Sequence, residues 1–322
     1  MSKKRKVWLA VAAALIVIGV FLFVGVMSAM KWDFTKLSTG KYETKYYEIT
    51  EDFQNISITS QTADIRFVPS EDGRTVVTCH DQQRLKHVVS VQDGTLTVKR
   101  VNERKWYDYI GIHFGSQEIT VALPEGVYGD LTVDSGTSEV KVPAGYQFAN
   151  VDISLSTGNV TCAASALEEI KIKTSTGDIR VENVTAAGIS LTASTGKITA
   201  SGVNCSAAGE MSVRVTTGKV ALTDLQCGNL KAKGSTGSIT LKNVTAAGSM
   251  DIRRSTGDVT FESCDAAEMF VKTDTGDVKG TLLTEKVFIV RTDTGSIEVP
   301  KTVTGGRCEI ETDTGDIKIR IP

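Results

Sequence analysis

The sequence has little in it that points to chemistry. No glycine-rich phosphate loop, G-x-S-x-G elbow, H-E-x-x-H or H-x-E with C-x-x-C occurs. The common routes to phosphate binding, acyl transfer and zinc hydrolysis therefore have no support in it, and no cofactor is expected. Six cysteines are present (Cys79, Cys162, Cys205, Cys227, Cys264 and Cys308), with no C-x-x-C pair and no zinc-like spacing to His80, His87 or His113. They read as small buried hydrophobes, with disulfides between neighbouring repeats left open in an oxidising compartment. Net charge is nearly absent too: 36 Lys+Arg against 38 Asp+Glu leave −2. That gives no global pull toward nucleic acid, so any electrostatic function must come from local patterning. Proline is scarce at 5, while glycine reaches 29, which suits many turns with unusual backbone angles and does not suit a Pro-rich disordered chain.

The features that are present begin with a membrane signal. Lys3, Lys4, Arg5 and Lys6 precede an uncharged run of 24 residues from Val7 to Met30. About 20 apolar residues cross the hydrocarbon core, and a basic cluster ahead of the run keeps the N-terminus cytoplasmic and exports the residues beyond it. A cleaved signal peptide has an apolar region of about 7–15 residues. This run is longer, its only passable cleavage context is Val26-Met27-Ser28, and no anchor cysteine precedes Cys79. An uncleaved anchor is the expectation.

The rest is organised by a repeat. Thr-Gly recurs at Gly158, Gly177, Gly196, Gly218, Gly237, Gly257, Gly276, Gly295 and Gly315, at spacings of 19 to 22, with a worn start at Ser135-Gly136 and NVTAAG twice, at 183–188 and 243–248. Two residues after each glycine stands Val or Ile in all nine copies, and apolar residues recur five and seven before it with polar residues between. This is period-2 alternation on both sides of a tight turn: strand, turn, strand. Glycine supplies positive φ there, and the preceding Ser/Thr/Asp-Thr pair is expected to hold the turn through local hydrogen bonds. Like residues recur once per unit, which stacked parallel coils turn into ladders. The expected fold is an all-β parallel β-solenoid of about ten 19–22-residue coils, a right-handed β-helix by the preference of parallel crossovers. Nine coils at about 4.8 Å make a rod of roughly 40 Å.

Residues 49–145 lack the strict period. ISITSQTADIRFVPS (56–70) reads as a worn coil, VVSVQDGTLTV (88–98) as a hairpin turning at Asp93-Gly94, and 102–116 as an aromatic loop. The expected organisation is a cytoplasmic tail (1–6), a transmembrane helix (7–30), a juxtamembrane spacer (31–48), an irregular β region (49–145) and regular repeats (146–322). The [ST]-T-G-[DKS]-[IV] turns, the worn first coil and the ITVALP strand (119–124) resemble the bacterial putative-adhesin domain family of unknown function, which includes LiaG-like envelope proteins. The resemblance covers about residues 49–322. It implies a β-solenoid and an envelope location, and it carries over no catalytic residue.

Several motifs invite function. Asp-Thr-Gly at Asp274, Asp293 and Asp313 matches the aspartic-protease triplet, but Ser and Thr fill the same column in the earlier copies, so turn chemistry explains it. Asp258, Asp277 and Asp316 after their glycines, with Asp274, Asp293 and Asp313 two before theirs, raise calcium, yet the GGxGxD pattern is absent and solvated turn aspartates are the simpler alternative. Four residues before the glycines lies a basic stripe, Lys173, Arg214, Lys233, Arg253, Lys272 and Arg291, interrupted by Thr192. Of these, Arg214, Lys233 and Arg253 have only hydroxyl neighbours two residues on. Such a stripe suits an anionic polymer lying along the coils; soluble strand-surface cations are the simpler alternative. Six before the glycines, Phe270 and Ile289 fall on adjacent coils, too small a patch to claim. Trp106, Tyr107 and Tyr109 form a candidate binding loop, unless they fold back over the first coils. The sequence favours a non-enzymatic, membrane-anchored scaffold contacting an anionic cell-wall polymer or an envelope protein. The alternatives are an accessory to a membrane stress sensor and a carbohydrate-active β-helix enzyme. The last coil, running to Pro322 without a cap, is expected to leave its edge exposed, blunted by Lys318, Arg320 and Pro322.

Overall fold

The computed structural model describes residues 3–33, 42–106 and 115–322. The chain falls into two units. The first contains the helix Lys3–Ala29, with the short segments Gln82–Leu85 and Asn102–Gly115. The helix's 27 residues have a mean hydropathy of 3.0, and it is the one helix among the described residues long and apolar enough to cross a membrane. At about 1.5 Å per residue it is longer than the hydrocarbon core is thick.

The second unit is the solenoid. Each coil presents a front strand before the turn glycine and a back strand after it. The front strands pair in parallel and in register, as in Ile153 with Ile172 and Ile172 with Leu191. The back strands do the same through Val160, Ile179, Ile198, Val220 and Ile239. A third, shorter ladder joins Gly126–Val127, Tyr146–Phe148 and Ser165–Ala166. The apolar columns read from the sequence point inward and form one continuous core, apart from Ile297, which is exposed.

Two corners shape each coil. At the first, the turn glycine is required twice over. Gly177 has φ of 144°, and a Cβ there would lie 2.0 Å from the carbonyl oxygen of Gly158 in the coil before. Both the backbone angle and the close stacking of corner on corner exclude a side chain. At the second corner Asn183, Gly202, Asp224, Asn243 and Ser263 all take φ between 51° and 61°. Asn tolerates this left-handed conformation, which accounts for the asparagine that opens both NVTAAG copies.

The first corner is held differently from the sequence expectation. The Ser/Thr pair before the glycine is exposed. Below it, the inward residue three before the glycine supplies the bond: Thr174, Thr273, Thr292 and Thr312 donate to the glycine carbonyls of neighbouring coils at 2.9–3.2 Å. The residue after the glycine supplies a second clamp. Asn159 accepts from Asp178 N, Asp178 from Lys197 N, Asp258 from Asp277 N and Asp277 from Asp316 N, at 2.7–2.9 Å. Of the aspartates considered for calcium, Asp258, Asp277 and Asp316 are thus backbone acceptors. The worn start also shifts: Thr137 pairs with Thr157, so Ser138, not Gly136, occupies the glycine column.

The N-terminal end is closed. The strand Asn55–Thr59 is flanked on the front by Thr95–Asn102, and Ala63–Pro69 on the back by Gln117–Leu123. Thr75–Gln82 then pairs antiparallel to Gln117–Leu123. Asp93 and Gly94, at φ of 50° and 68°, make the expected two-residue turn. Residues 42–49, read from the sequence as spacer and the first residue of the irregular region, form a strand that pairs with Thr75–Gln82. A buried polar cluster sits at this end. His87 Nδ1 lies 2.7 Å from Asp81 Oδ1 and Nε2 lies 3.1 Å from Ser60 Oγ, while Gln117 donates to Asp81 at 3.1 Å. Ser60 occupies the same inward corner column as Ser135 and Thr174, one residue after the register pair Thr59–Asp134. The imidazole therefore closes a corner.

The C-terminal end departs from chain order. The front half of Val259–Thr275 pairs with Gly306–Thr314, and that strand pairs with Lys286–Thr294. The back strands agree: Val278–Leu282 pairs with Ile317–Arg320, which pairs with Ile297–Glu298. The last coil in sequence is inserted beneath the one before it. The exposed edge is therefore 286–298 and not the chain terminus.

Candidate binding face

The outward columns of the front ladder make the candidate face. The residues four before each turn glycine stand in register in the order Ser154, Lys173, Thr192, Arg214, Lys233, Arg253, Lys272, Glu311, Arg291. All six cations singled out in the sequence share this ladder, which stacked parallel strands space at about 4.8 Å. Coil interleaving places Glu311 between Lys272 and Arg291.

Most of these cations are already partnered. Asp251, two residues before Arg253 on the same face, accepts from Arg253 at 2.7 Å and from Lys233 at 3.1 Å. Burial pushes the Asp251 carboxyl up, but the two cations outweigh it and hold the pKa below the ordinary value. Lys272 pairs with Glu311 at 3.2 Å and Arg291 with Asp293 at 3.0 Å. Hydroxyls two residues on are thus not the only neighbours of Lys233 and Arg253. Lys173 and Arg214 are exposed and carry no ion pair among the described residues. Thr192 separates them by one coil, so they stand about 9.6 Å apart along the ladder. Phe270 and Ile289 are not neighbours either, because Glu309 lies between them. Arg307 covers the Phe270 ring at 5.7 Å.

Of the candidate loop, Trp106 is 77% exposed. Tyr107 and Tyr109 lie outside the described residues.

A groove on the third side had no clear sequence signal. It encloses about 570 Å³, with Asn204, Gln226, Thr245 and Asp265 on its wall and Cys205 and Cys227 at its floor. Its residues fall in the stretch after the second corner, where the repeat is least regular. Burial pushes the two thiols up to about 11 and about 12, so neither is a nucleophile near neutral pH. All six cysteines are free and buried. Lys286 closes one end of the groove, buried against Asp265 at 2.6 Å.

With the three-sided coils and their faces established, comparison with known proteins decides the family. The Toastrack DUF4097 family model matches residues 53–236 and 205–322. The chain belongs to the Toastrack DUF4097 family. No curated protein matches it. Among solved structures, a putative adhesin from Parabacteroides distasonis is 12% identical over 87% of this chain and 98% of its own, with a TM-score of 0.42. A putative adhesin from Bacteroides fragilis is 17% identical over 88% and 99%, with a TM-score of 0.33. A putative lipid binding protein from P. distasonis is 16% identical over 88% and 98%, with a TM-score of 0.36.

Proposed function

We propose that this Toastrack protein is a non-enzymatic binding module, held at the membrane by its N-terminal helix and displayed outside the cytoplasm, that engages an anionic envelope polymer with its front face. The observation that carries the reading is the pair of unpartnered cations, Lys173 and Arg214, fixed on one in-register ladder. A stacked sheet presents them with little freedom to lose on binding, and Arg214 brings a fork suited to phosphate or carboxylate. The four C-terminal cations are engaged by Asp251, Glu311 and Asp293, so a polyanion would have to displace a carboxylate to reach them. Contact is expected to centre on the N-terminal half of the stripe.

The test is binding of the full chain, reconstituted in nanodiscs, to polyphosphate and to a purified anionic wall polymer at low and high salt. Binding should fall with salt. The Lys173→Ser/Arg214→Ser variant should lose most of it, whereas Lys272→Ser/Arg291→Ser should lose little. Equal losses in the two variants, or no binding by the unaltered chain, would remove the reading.

A further inference from the structure

The two ends of the solenoid are finished differently. At the N-terminal end the core layer is covered: Val77, Cys79, Leu96 and Val98 have no exposed surface, and the large apolar residues left exposed within 75–102 are Val88 and Val101. At the other end the core is cut open. Ile297 is 47% exposed, whereas Ile317, in the same column one layer inward, is 0% exposed. Phe288 and Val290 are half-buried, although their ladder neighbours Cys308 and Ile310 are buried. Ile289 is 49% exposed on the outward side of the same strand.

The open end also offers backbone. Lys286–Thr294 has nine residues, pairs on one side with Gly306–Thr314 and contains no proline. Edge strands are normally blunted by brevity, proline or lysine. The back edge follows that rule: Ile297–Glu298 is two residues long and is followed by Pro300 and Lys301. The front edge does not, because the one lysine on it, Lys286, is turned in and buried against Asp265.

We propose that this end is a self-association surface, on which the front edge strand 286–294 pairs antiparallel with the same strand of a second copy. Three observations select a second copy. The N-terminal end is covered, so copies cannot stack head to tail; only two like ends can meet, which gives a closed two-fold pair and no filament. The coil 283–305 carries three cations (Lys286, Arg291, Lys301) and three carboxylates (Glu285, Asp293, Glu298), so the end meets its own copy without net repulsion. The partner strand also brings the covering apolar residues that Phe288, Val290 and Ile289 lack, continuing both cores across the junction. The proposal is independent of the polyanion reading.

The test uses the full chain in detergent. All six native cysteines are buried, so a thiol introduced at Ile289→Cys is the reachable one. Mild oxidation should convert that variant to a disulfide-linked dimer, while Ser154→Cys, on the same ladder near the closed end, should stay monomeric. Sedimentation should show a reversible dimer of the unaltered chain, weakened at least about tenfold by Ile289→Lys, with the melting temperature of the monomer retained. Such a variant should still bind polyphosphate as before, which separates the two proposals. A monomer at every concentration tested, or equal cross-linking at positions 154 and 289, would overturn the pairing. So would capture of a different protein at this edge by a chain that stays monomeric.

Discussion

Arg254 occupies the inward corner column that threonine fills in other coils, and it is only 3% exposed. Its neighbour in that column is Gly234, where an added Cβ would lie 1.9 Å from Arg254 Nη1. The guanidinium passes over the glycine and donates to Val215 O at 2.8 Å and Gly218 O at 2.9 Å, two coils away. It thereby supplies the corner bond that Gly234 cannot make. Its Nε has no partner, and burial pushes its pKa down. Gly234→Ala should displace this side chain and destabilise by about 1–3 kcal/mol, the usual cost of overpacking. Arg254→Thr in the Gly234→Ala background should recover only part of that loss, since the contact with Nη1 leaves with the guanidinium while the 1.9 Å approach to the carbonyl oxygen of Val215 remains. Urea unfolding of the two variants checks this, and simple additivity would count against the coupling. A second residue-scale expectation concerns acid. Asp316 is held down to about 2 by Ser296 N, the Ser296 hydroxyl and Lys318, and Asp277 is lowered by Lys279 and by Asp316 N. An unfolded aspartate titrates near about 3.9. Because the folded values are depressed, the stability these clamps supply is complete above about pH 4 and is lost as the pH falls through about 2. Thermal melts across that window should decline, and Asp316→Asn, which keeps an acceptor but does not titrate, should flatten the decline.

At the scale of the element, the sequence spoke clearly wherever every coil repeats the same environment. The Val/Ile column two after the glycine faces the core in each coil, so selection for one shape shows as a period. The turn glycines were equally plain, although their reason is double: positive φ was foreseeable, but the close approach of Gly158 O to the place of a Gly177 Cβ depends on stacking. The clamps on the corner were not legible, because Thr174 reaching the carbonyl of Gly158 is a contact between coils. The binding stripe was read only in part for the same reason. Its column could be written down from spacing, and Asp251 and Asp293 stand two residues from Arg253 and Arg291 in the sequence, but Lys233 and Lys272 are neutralised from other coils, by Asp251 and Glu311. Lys173 and Arg214 stand apart only once those pairs are seen.

At the scale of the whole molecule, the interleaved last coils were invisible in the sequence because two of their three core columns are interchangeable. Ile297 and Ile317 are the same residue, and Val290 and Ile310 are both β-branched. Only the column seven before the glycine differs, with Phe288 beside Cys308. The order matters for what each coil holds in place: among the described residues, Gly306–Thr314 is the strand that links Lys286–Thr294 to the coils below. Truncation after Gly305 should therefore release two coils and not one. Limited proteolysis of that truncated chain should cut within 283–305, a segment that the full chain protects.

The interleaving also bears on how the chain is made. A stack of coils in chain order can form from its first coil onward, each new one settling on the last. Here residues 286–298 must wait, with their apolar side chains uncovered, until some twenty further residues have emerged and slipped in beneath them. Folding of this end then includes an insertion into a gap, and it comes only after residues 306–320 have been made. A chain made only as far as residue 305 would leave the strand Lys286–Thr294 without the layer it rests on, so the arrival of Gly306–Thr314 is what lets the stack close.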